Sequence, residues 1–383
     1  SLFLMALYPL TSYINTFKEN SARYIGFSSR LNDDSNYYVI VLDAYARSDK
    51  LCSTYGYDNS DFLDELRNNK FYIPTKSMSN HERTMYSLPS FFNMEYIGKL
   101  GSPSFTPRYS SLWSKELINN SKFFKIMRNS GYKILTINTG VTFTHVDDSE
   151  ILYSPFYKNN NLDTVILYPH ITDMEYAVFS HTLLTLYFKY HSSFENKVIR
   201  RSDIRSGLKT LRSSVDIKGP KVVFAHFLSP HHPFVFDENG KDVDSADTLV
   251  GTNRLNVKAY AAQARFISSE IGIFINDLVS EDPNCIVVIV GDHGGRAMID
   301  YDDIEKTDLE DAFANLIAIR LPGVNISSAY DDLTLVNVFR MIFREKYHED
   351  IPLLENRQIF NFRANSKPND VTDRIKATAS ARE

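Results

Sequence analysis

The chain has 383 residues, enough for one large α/β domain or two smaller ones. Hydrophobic residues make up 43% and charged residues 23%, a globular composition that excludes wholesale disorder. Lys and Arg number 42 against 47 Asp and Glu, so no positive excess exists to neutralise a nucleic-acid backbone, and we expect no nucleic-acid partner. Two cysteines, Cys52 and Cys285, are too few for a disulfide framework or a Cys-rich zinc site.

The N-terminal segment Ser1–Ile14 is apolar but too short to cross a bilayer, which needs about 20 residues. It also lacks the basic start of a signal peptide. Two interpretations stay open. The segment is either the end of a transmembrane helix, or an apolar arm packed on the domain. We therefore treat residues 1–30 as an N-terminal arm that, in the first interpretation, belongs to a membrane anchor.

Short β-branched and aromatic runs alternate with longer helical patterns. In chain order, strands are predicted at Tyr37–Leu42, Phe71–Thr75, Tyr132–Ile137, Lys221–Phe227, Cys285–Val290 and Asn315–Leu321. Helices are predicted at Asp61–Asn69, Ser114–Asn129, Ile171–Tyr190, Ser202–Ser214, Asn256–Leu278 and Asp332–Tyr347, the last with Asp332 as N-cap. Several strands are apolar on both faces, as parallel strands between helix layers are. The expected fold class is α/β: a doubly wound, mostly parallel sheet with helices on both faces.

Polar segments interrupt or follow these elements. Residues 159–162 and 237–251 are predicted to be surface loops, or insertions that face the substrate. The tail at 365–383 is polar and carries Lys, Pro, Asp and Ser, so we expect it to be loosely ordered.

Side chains that bind metals follow two of the predicted strands. Asp43 follows the first strand, and Asp292 and His293 follow the fifth, with Gly294-Gly295 next to them. Ligands in open α/β sheets bind beyond the carboxyl ends of the strands, so these groups can converge on one divalent cation. Oxygen and imidazole ligands suit zinc or manganese. The alternative is that each residue only caps a neighbouring helix.

The fourth strand leads into a histidine cluster made up of His226, His231 and His232. A separate segment, 79–94, is typical of a loop that enters a helix, with Thr84 near the helix N-terminus. Free N–H groups and the positive end of the helix dipole stabilise an anion there. A hydroxyl in that place that also binds a cation can lose its proton and become a nucleophile. The alternative is that Thr84 is an ordinary N-cap.

Together these segments resemble the sulfatase-like branch of the alkaline phosphatase superfamily, in particular the bacterial membrane-anchored phosphoethanolamine and phosphoglycerol transferases. The motifs that carry the resemblance are, in chain order, Val39–Asp49 with its acid, Thr84-Met-Tyr-Ser-Leu-Pro89, His226-Phe-Leu-Ser-Pro-His231-His-Pro233 and Val290-Gly-Asp-His-Gly294. They extend from about residue 37 to about residue 354. The resemblance implies a catalytic domain at 31–364.

The resemblance also implies roles for single residues. One divalent metal ion, zinc or manganese, would be held by Asp43, Thr84, Asp292 and His293. Thr84 would be the nucleophile that carries the phospho-group, and His231 would contact the phosphate or the leaving group. His226 would line the pocket or only support it. The further substrate-binding candidates are His232, Arg296 and Asn80.

The implied reaction moves a phospho-head group from a phospholipid donor to an envelope glycan or lipid. The implied location is the bacterial inner membrane, with the catalytic domain in the periplasm or at the cell exterior. Two departures from the transferase pattern concern Asp43, which often is Glu in those enzymes, and the absence of a histidine between Gly294 and His348. Two alternatives stay open: a hydrolase of the same superfamily, or an inactive domain that binds a glycan.

Overall fold

The computed structural model describes residues 30–100, 110–147, 149–153, 184–247, 254–361 and 368–380. Within these ranges, seven strands form one sheet in the order β2-β7-β6-β1-β5-β3-β4. Their bounds are β1 Tyr37–Leu42, β2 Phe71–Tyr72, β3 Lys133–Asn138, β4 Glu150–Tyr153, β5 Lys221–Phe227, β6 Ile286–Gly291 and β7 Ile317–Arg320. A separate ribbon pairs β8 (Ile359–Phe360) with β9 (Asn369–Asp370).

The sheet is mostly parallel. Strand β1 lies at its centre between β5 and β6 and is parallel to both. Strand β3 is parallel to β5 and to β4. At one edge, β7 and β2 add antiparallel pairs. The predicted fold class is therefore confirmed.

Ten α-helices connect the strands in the part of the chain that the structure describes. Their bounds are α1 Ser48–Tyr55, α2 Ser60–Asn68, α3 Thr84–Asn93, α4 Ser110–Asn119, α5 Lys122–Asn129, α6 Leu184–Ser213, α7 Val257–Glu281, α8 Leu309–Phe313, α9 Leu335–Tyr347 and α10 Thr372–Ser380. None of these helices combines the length and the apolar character that crossing a bilayer requires.

Two hydrophobic cores cover the two faces of the sheet. Side chains alternate along β1, so Tyr38, Ile40 and Leu42 enter one core with residues of α1, α2, α6 and α7. Tyr37 and Val41 point the other way and enter a second core with residues of α3, α5 and α9. All six β1 residues are buried, which explains the continuous apolar run that predicted a two-sided sheet.

Several predicted boundaries differ from the structure. The helix predicted at Ser114–Asn129 is two helices, because the Ser121 side chain accepts a hydrogen bond from Phe124 N and caps α5. The predicted N-cap Asp332 was wrong. The helix begins at Leu335 after Thr334, and Asp332 instead accepts a hydrogen bond from Asn356.

Other predicted segments fall partly outside the described residues. The helix predicted at Ile171–Tyr190 is described only from Leu184, where it is continuous with the one predicted at Ser202–Ser214. The loop at 159–162 and the N-terminal residues 1–29 also lie outside the described residues. Strand β4 and helix α1 had not been predicted.

The C-terminal tail corrects an expectation. Residues 369–380 had been expected to be loosely ordered, but they form β9 and α10. Val371 and Ile375 lie four residues apart and are buried in a small core with Phe313 and Phe360. This spacing gives one helix face enough apolar surface to attach it to the domain.

Candidate active site

The sheet register brings two carboxylates together. Leu42 of β1 pairs with Gly291 of β6 in parallel register, so Asp43 and Asp292 leave their strands side by side. Both aspartates are almost completely buried, as is His293, the next residue. Their ligand atoms lie within 4.8 Å of one another, a group that could hold a metal ion.

The distances within this cluster fit a small cation. His293 Nε2 lies 3.4 Å from Asp292 Oδ2, 3.6 Å from Asp43 Oδ1 and 3.5 Å from Thr84 Oγ1. Ligands about 2.0–2.1 Å from a tetrahedral centre are about 3.3–3.4 Å from each other. The two carboxylate oxygens named here are buried and lack any hydrogen-bond partner among the described residues. Because an orphaned buried carboxylate oxygen is costly, a bound cation fits these atoms.

The other atoms of the same side chains are held by neighbours. Asp292 Oδ1 accepts a hydrogen bond of 2.9 Å from Ala44 N. His293 Nδ1 lies 2.8 Å from Gly294 O, and since a carbonyl only accepts, Nδ1 carries the proton and Nε2 keeps its lone pair. Ala44 itself has a φ of 64°, in the left-handed region, and its carbonyl accepts a hydrogen bond from Tyr260. The donor atoms are therefore oriented toward one point.

Helix α3 starts at this point. Arg83 has extended backbone and precedes the helix, and Thr84 is its first residue. Thr84 is therefore not the N-cap, and its hydroxyl is not used to cap the helix. Ser87, one turn later, donates a hydrogen bond of 2.5 Å to the Asp292 carbonyl, which ties the helix to the end of β6. The partly buried Thr84 hydroxyl thus faces the cluster at the positive end of the helix dipole.

The three histidines occupy different positions. His226 is buried, with Nε2 3.3 Å from Asp43 Oδ2 and Nδ1 3.1 Å from Thr144 Oγ1. His231 is partly buried, and its ring centroid lies 6.4 Å from that of His293. His232 is exposed at the rim, with Nδ1 3.7 Å from Asp247 Oδ2.

The electrostatic environment favours a charged Asp43 and the neutral forms of His231 and His293. Burial alone would raise the pKa of Asp43, but the surrounding His231, His226 and His293 outweigh it and hold the pKa well below its usual range. Burial lowers the pKa of His231 to about 3. Burial, together with the positive charge of Arg296, also lowers the pKa of His293. Neutral imidazoles are the form that binds metals.

Arg296 and Asn80, the other two residues predicted to bind substrate, have different side-chain environments. Arg296 follows the Asp-His-Gly-Gly segment and has a left-handed φ of 59°. It donates hydrogen bonds to Glu82 O at 3.2 Å and to Tyr301 Oη at 3.0 Å, and its charge reaches the cluster. Asn80 is instead fully buried in structural hydrogen bonds, including one of 2.8 Å from Val336 N at the start of α9. The structure does not place its side chain with the cluster.

Several residues that lie near the candidate site belong to no sequence motif that would have predicted their position. Arg83 lies over the ring of Tyr301 at 3.9 Å, next to Thr84. Buried Glu82 accepts hydrogen bonds from Asn361, and burial raises its pKa to about 7. The only sequence signal for these contacts is their closeness to Thr84 along the chain.

The sequence and the fold match known proteins. The profile of the family described as Sulfatase matches residues 35–315. No curated protein shows a significant match. Among solved structures, the chain is similar to the C-terminal periplasmic domain of EcEptC from Escherichia coli, with a TM-score of 0.52 and 12% identity over 90% of this chain and 94% of that one.

Two further solved structures are similar to the chain. The zinc complex of the EcEptC domain from Escherichia coli has a TM-score of 0.51 and 12% identity over 90% and 94% of the two chains. The 2-O GAG sulfatase BT1596 has a TM-score of 0.49 and 11% identity over 88% of this chain and 80% of that one.

Proposed function

This chain belongs to the sulfatase family, and from that premise we propose that it is a metal-dependent transferase that moves a phospho-head group through a phosphorylated Thr84. One observation carries the proposal: the Thr84 hydroxyl lies 3.5 Å from His293 Nε2, at the start of a helix, and His293 in turn faces two buried carboxylate oxygens that have no hydrogen-bond partner in the described ranges. That arrangement suits a nucleophile better than a capping residue.

The metal would be held by Asp43, Asp292, His293 and Thr84, and zinc or manganese suits this donor set. When bound, a divalent cation supplies positive charge that lowers the pKa of the Thr84 hydroxyl and stabilises negative charge on the phosphate oxygens. The first turn of α3 adds free N–H groups on the same side.

In the first step, the Thr84 oxygen forms a bond to phosphorus and the bond to the leaving alcohol breaks. His231 suits the proton transfer. Its Nδ1 lies 2.6 Å from the His232 carbonyl and carries the proton, so Nε2 has a free lone pair. Nε2 takes the Thr84 proton and passes it to the leaving alkoxide. Such proton transfer contributes about 10²–10⁴-fold to the rate.

In the second step, the acceptor hydroxyl attacks the phosphorylated Thr84. His231 Nε2 takes the hydroxyl proton and returns it to Thr84, so both steps balance. Arg296 and Arg83 would stabilise charge on the phosphate oxygens that do not react. The proposed donor is a phospholipid with a phosphoethanolamine or phosphoglycerol head group, and the proposed acceptor is an envelope glycan or lipid. The proposed location is the outer face of a bacterial inner membrane.

Mass spectrometry of the reacting protein tests the proposal. The metal-loaded protein is quenched in acid during turnover of a phospholipid donor, and its peptides are searched for phosphorylated Thr84. We expect the phospho-group on Thr84 in the wild type and none in Thr84→Ala, with loss of turnover and little change in fold. Thr75→Ala is the matched control, since Thr75 lies on the surface and bonds Asp331.

The products separate transfer from hydrolysis. Transfer predicts that the head group appears on an added acceptor alcohol, whereas a hydrolase would release it to water at any acceptor concentration. A phosphorylated Thr84 with release only to water would replace the transferase by a hydrolase of the same family. Turnover retained in Thr84→Ala would refute the proposed nucleophile.

A further inference from the structure

Arg200 differs from the other arginines of helix α6 in the partners of its guanidinium. The other three arginines of this helix pair with carboxylates: Arg201 with Asp244, Arg205 with Asp242 and Arg212 with Glu270. Arg200 forms no ion pair with any described residue. Its Nη1 donates a hydrogen bond of 2.9 Å to Thr139 O, and its Nε is buried without a hydrogen-bond partner in the described part of the chain.

The hydrogen bond from the Arg200 side chain to the Thr139 carbonyl places Arg200 at the carboxyl edge of the sheet. Thr139 follows β3 and donates its N–H to His226 O at 3.1 Å. His226 in turn faces Asp43. Gly140, with a φ of +138°, leaves the space that the guanidinium occupies, because a side chain there would collide with Arg200 Nη1. Arg200 is therefore connected through Thr139 to the His226 side of the candidate active site.

The charge of Arg200 also reaches this site. Burial lowers the pKa of Arg200 to about 10, while Asp203 and Asp43 act to raise it, so the side chain remains charged at neutral pH. Strand β1, which carries Asp43, lies between β6 and β5. Arg296 follows β6 and Arg200 contacts Thr139 after β3, and the charges of both arginines act on Asp43. Leaving the buried Arg200 Nε without a hydrogen-bond partner, as it is among the described residues, is costly unless a ligand oxygen accepts from it.

We propose that Arg200 is a substrate-binding residue whose guanidinium takes an anionic oxygen of a phosphate ester on the His226 side of the cluster. The choice of a phosphate ester rests on the proposed function. The planar guanidinium suits phosphate oxygens because it offers paired donors, and the unused Nε is one of them. The phosphate belongs either to the donor or to a phosphorylated acceptor.

Phosphate binding to the metal-loaded protein tests this inference without turnover. Titration calorimetry with inorganic phosphate, at constant ionic strength, compares Arg200→Gln with Arg205→Gln. The Gln amide can keep the hydrogen bond to Thr139 O but has no charge. We expect about tenfold weaker phosphate binding in Arg200→Gln, and wild-type affinity in Arg205→Gln, because Arg205 is exposed and paired. Equal affinities in the two variants would overturn the inference.

A measurement on the wild type covers the case in which Arg200→Gln fails to fold. Phenylglyoxal modifies arginines, and peptide mapping follows Arg200 and Arg205 separately. Phosphate should slow modification of Arg200 and leave Arg205 unchanged. Equal rates at Arg200 with and without phosphate would overturn the inference.

Two organic phosphates identify the source of the anion. Weaker binding of glycerophosphoethanolamine, a diester, in Arg200→Gln assigns the contact to the donor. Weaker binding of glucose 1-phosphate alone assigns it to a phosphorylated acceptor. Unchanged binding of both probes would overturn the inference. Since these are equilibrium measurements, reduced phosphate affinity in a protein that never phosphorylates Thr84 would support the role of Arg200 while refuting the proposed transferase.

Discussion

At the scale of single residues, the two oxygens of Asp292 have different environments. Oδ1 accepts the Ala44 N–H, whereas Oδ2 faces His293 Nε2 and has no hydrogen-bond partner among the described residues. The same division holds for His293, whose Nδ1 bonds Gly294 O. One atom of each side chain fixes its orientation and the other is free for a ligand.

Replacement of Asp292 by Asn tests this division. The amide oxygen can keep the Ala44 hydrogen bond, while an NH2 group replaces the free oxygen. We expect metal affinity to fall at least about a hundredfold, as loss of a ligand should exceed loss of an outer contact. Metal content after dialysis measures it. Asp247→Asn, at the exposed rim, should keep the metal; equal metal content in both variants would contradict the site.

Replacement of two adjacent histidines tests the proton-transfer residue. His231→Ala should lower the transfer rate about 10²–10⁴-fold, because it removes the proposed base and acid. His232→Ala should stay within a few-fold of wild type, since that ring lies exposed at the rim beside Asp247. The transfer rates of both variants are measured with one phosphodiester substrate and compared with the wild type. Equal losses in the two variants would mean that the proton-transfer role is assigned to the wrong residue.

At the scale of elements, the start of α3 is held against the end of β6. Ser87 donates to the Asp292 carbonyl, and this contact helps to link the helix that carries Thr84 to the strand end that carries the candidate metal ligands. Gly291 O is held by the Asn315 side chain on the other side. The distance between Thr84 and His293 therefore depends on contacts outside the cluster.

Removal of the Ser87 hydroxyl should disturb the site. Ser87→Ala leaves a buried carbonyl without its donor, at a cost of about 1–3 kcal/mol in the free energy of unfolding, and it should lower the turnover rate while metal remains bound. Ser90→Ala is the control on the same helix, because the buried Ser90 Oγ has no hydrogen-bond partner among the described residues. Urea unfolding and turnover measure both variants. A Ser90→Ala loss as large as that of Ser87→Ala would argue against the link.

At the scale of the whole molecule, the site joins parts of the chain that are far apart. Asp43, Thr84 and Asp292 come from three regions and meet because β1 and β6 are neighbours and α3 packs on the same edge. The loop after Asp292 is in turn fixed by Asp311 of α8, which accepts hydrogen bonds from Ala297 N and from Tyr55 of α1. Gly294 is required there, since a side chain would collide with the Asp311 carbonyl.

Because Asp311 is buried, we expect the free energy of unfolding to depend on pH. Burial raises its pKa from 3.8 to about 6. Between these values the folded protein holds more protons at this group than the unfolded chain, so the free energy of unfolding falls as pH rises through the window. Across this window, the contribution of Asp311 to the free energy of unfolding changes by on the order of 2–3 kcal/mol.

Asp311→Asn should remove this slope. Asn can still accept the Ala297 N–H and bond Tyr55, so we expect a folded protein. The difference in unfolding free energy between wild type and Asp311→Asn, measured by urea unfolding from pH 4 to pH 7, should change by about that amount. A constant difference across this range would show that folding does not raise the pKa of Asp311.

Much of the fold was predictable because local patterns are strong in buried strands. Strands β1 and β5 begin and end where the sequence predicted, since their apolar runs, of six residues in β1 and of four in β5 (Val222–Ala225), indicate strands that are buried on both faces. Boundaries of helices were less accurate where capping depends on distant groups. Asn80 caps α9 from far along the chain, and no local signal near Asp332 shows this.

The sequence by itself determined the α/β class, the sulfatase family motifs and the residues able to hold a cation, because chemistry and hydrophobic periodicity are local properties of the chain. Only the tertiary structure decided which carboxylate oxygens lack a hydrogen-bond partner, that Asn80 bonds the start of α9, and that Arg200 forms no ion pair, in each case within the described residues. Those features depend on strand order and helix packing, which bring together residues separated by hundreds of positions.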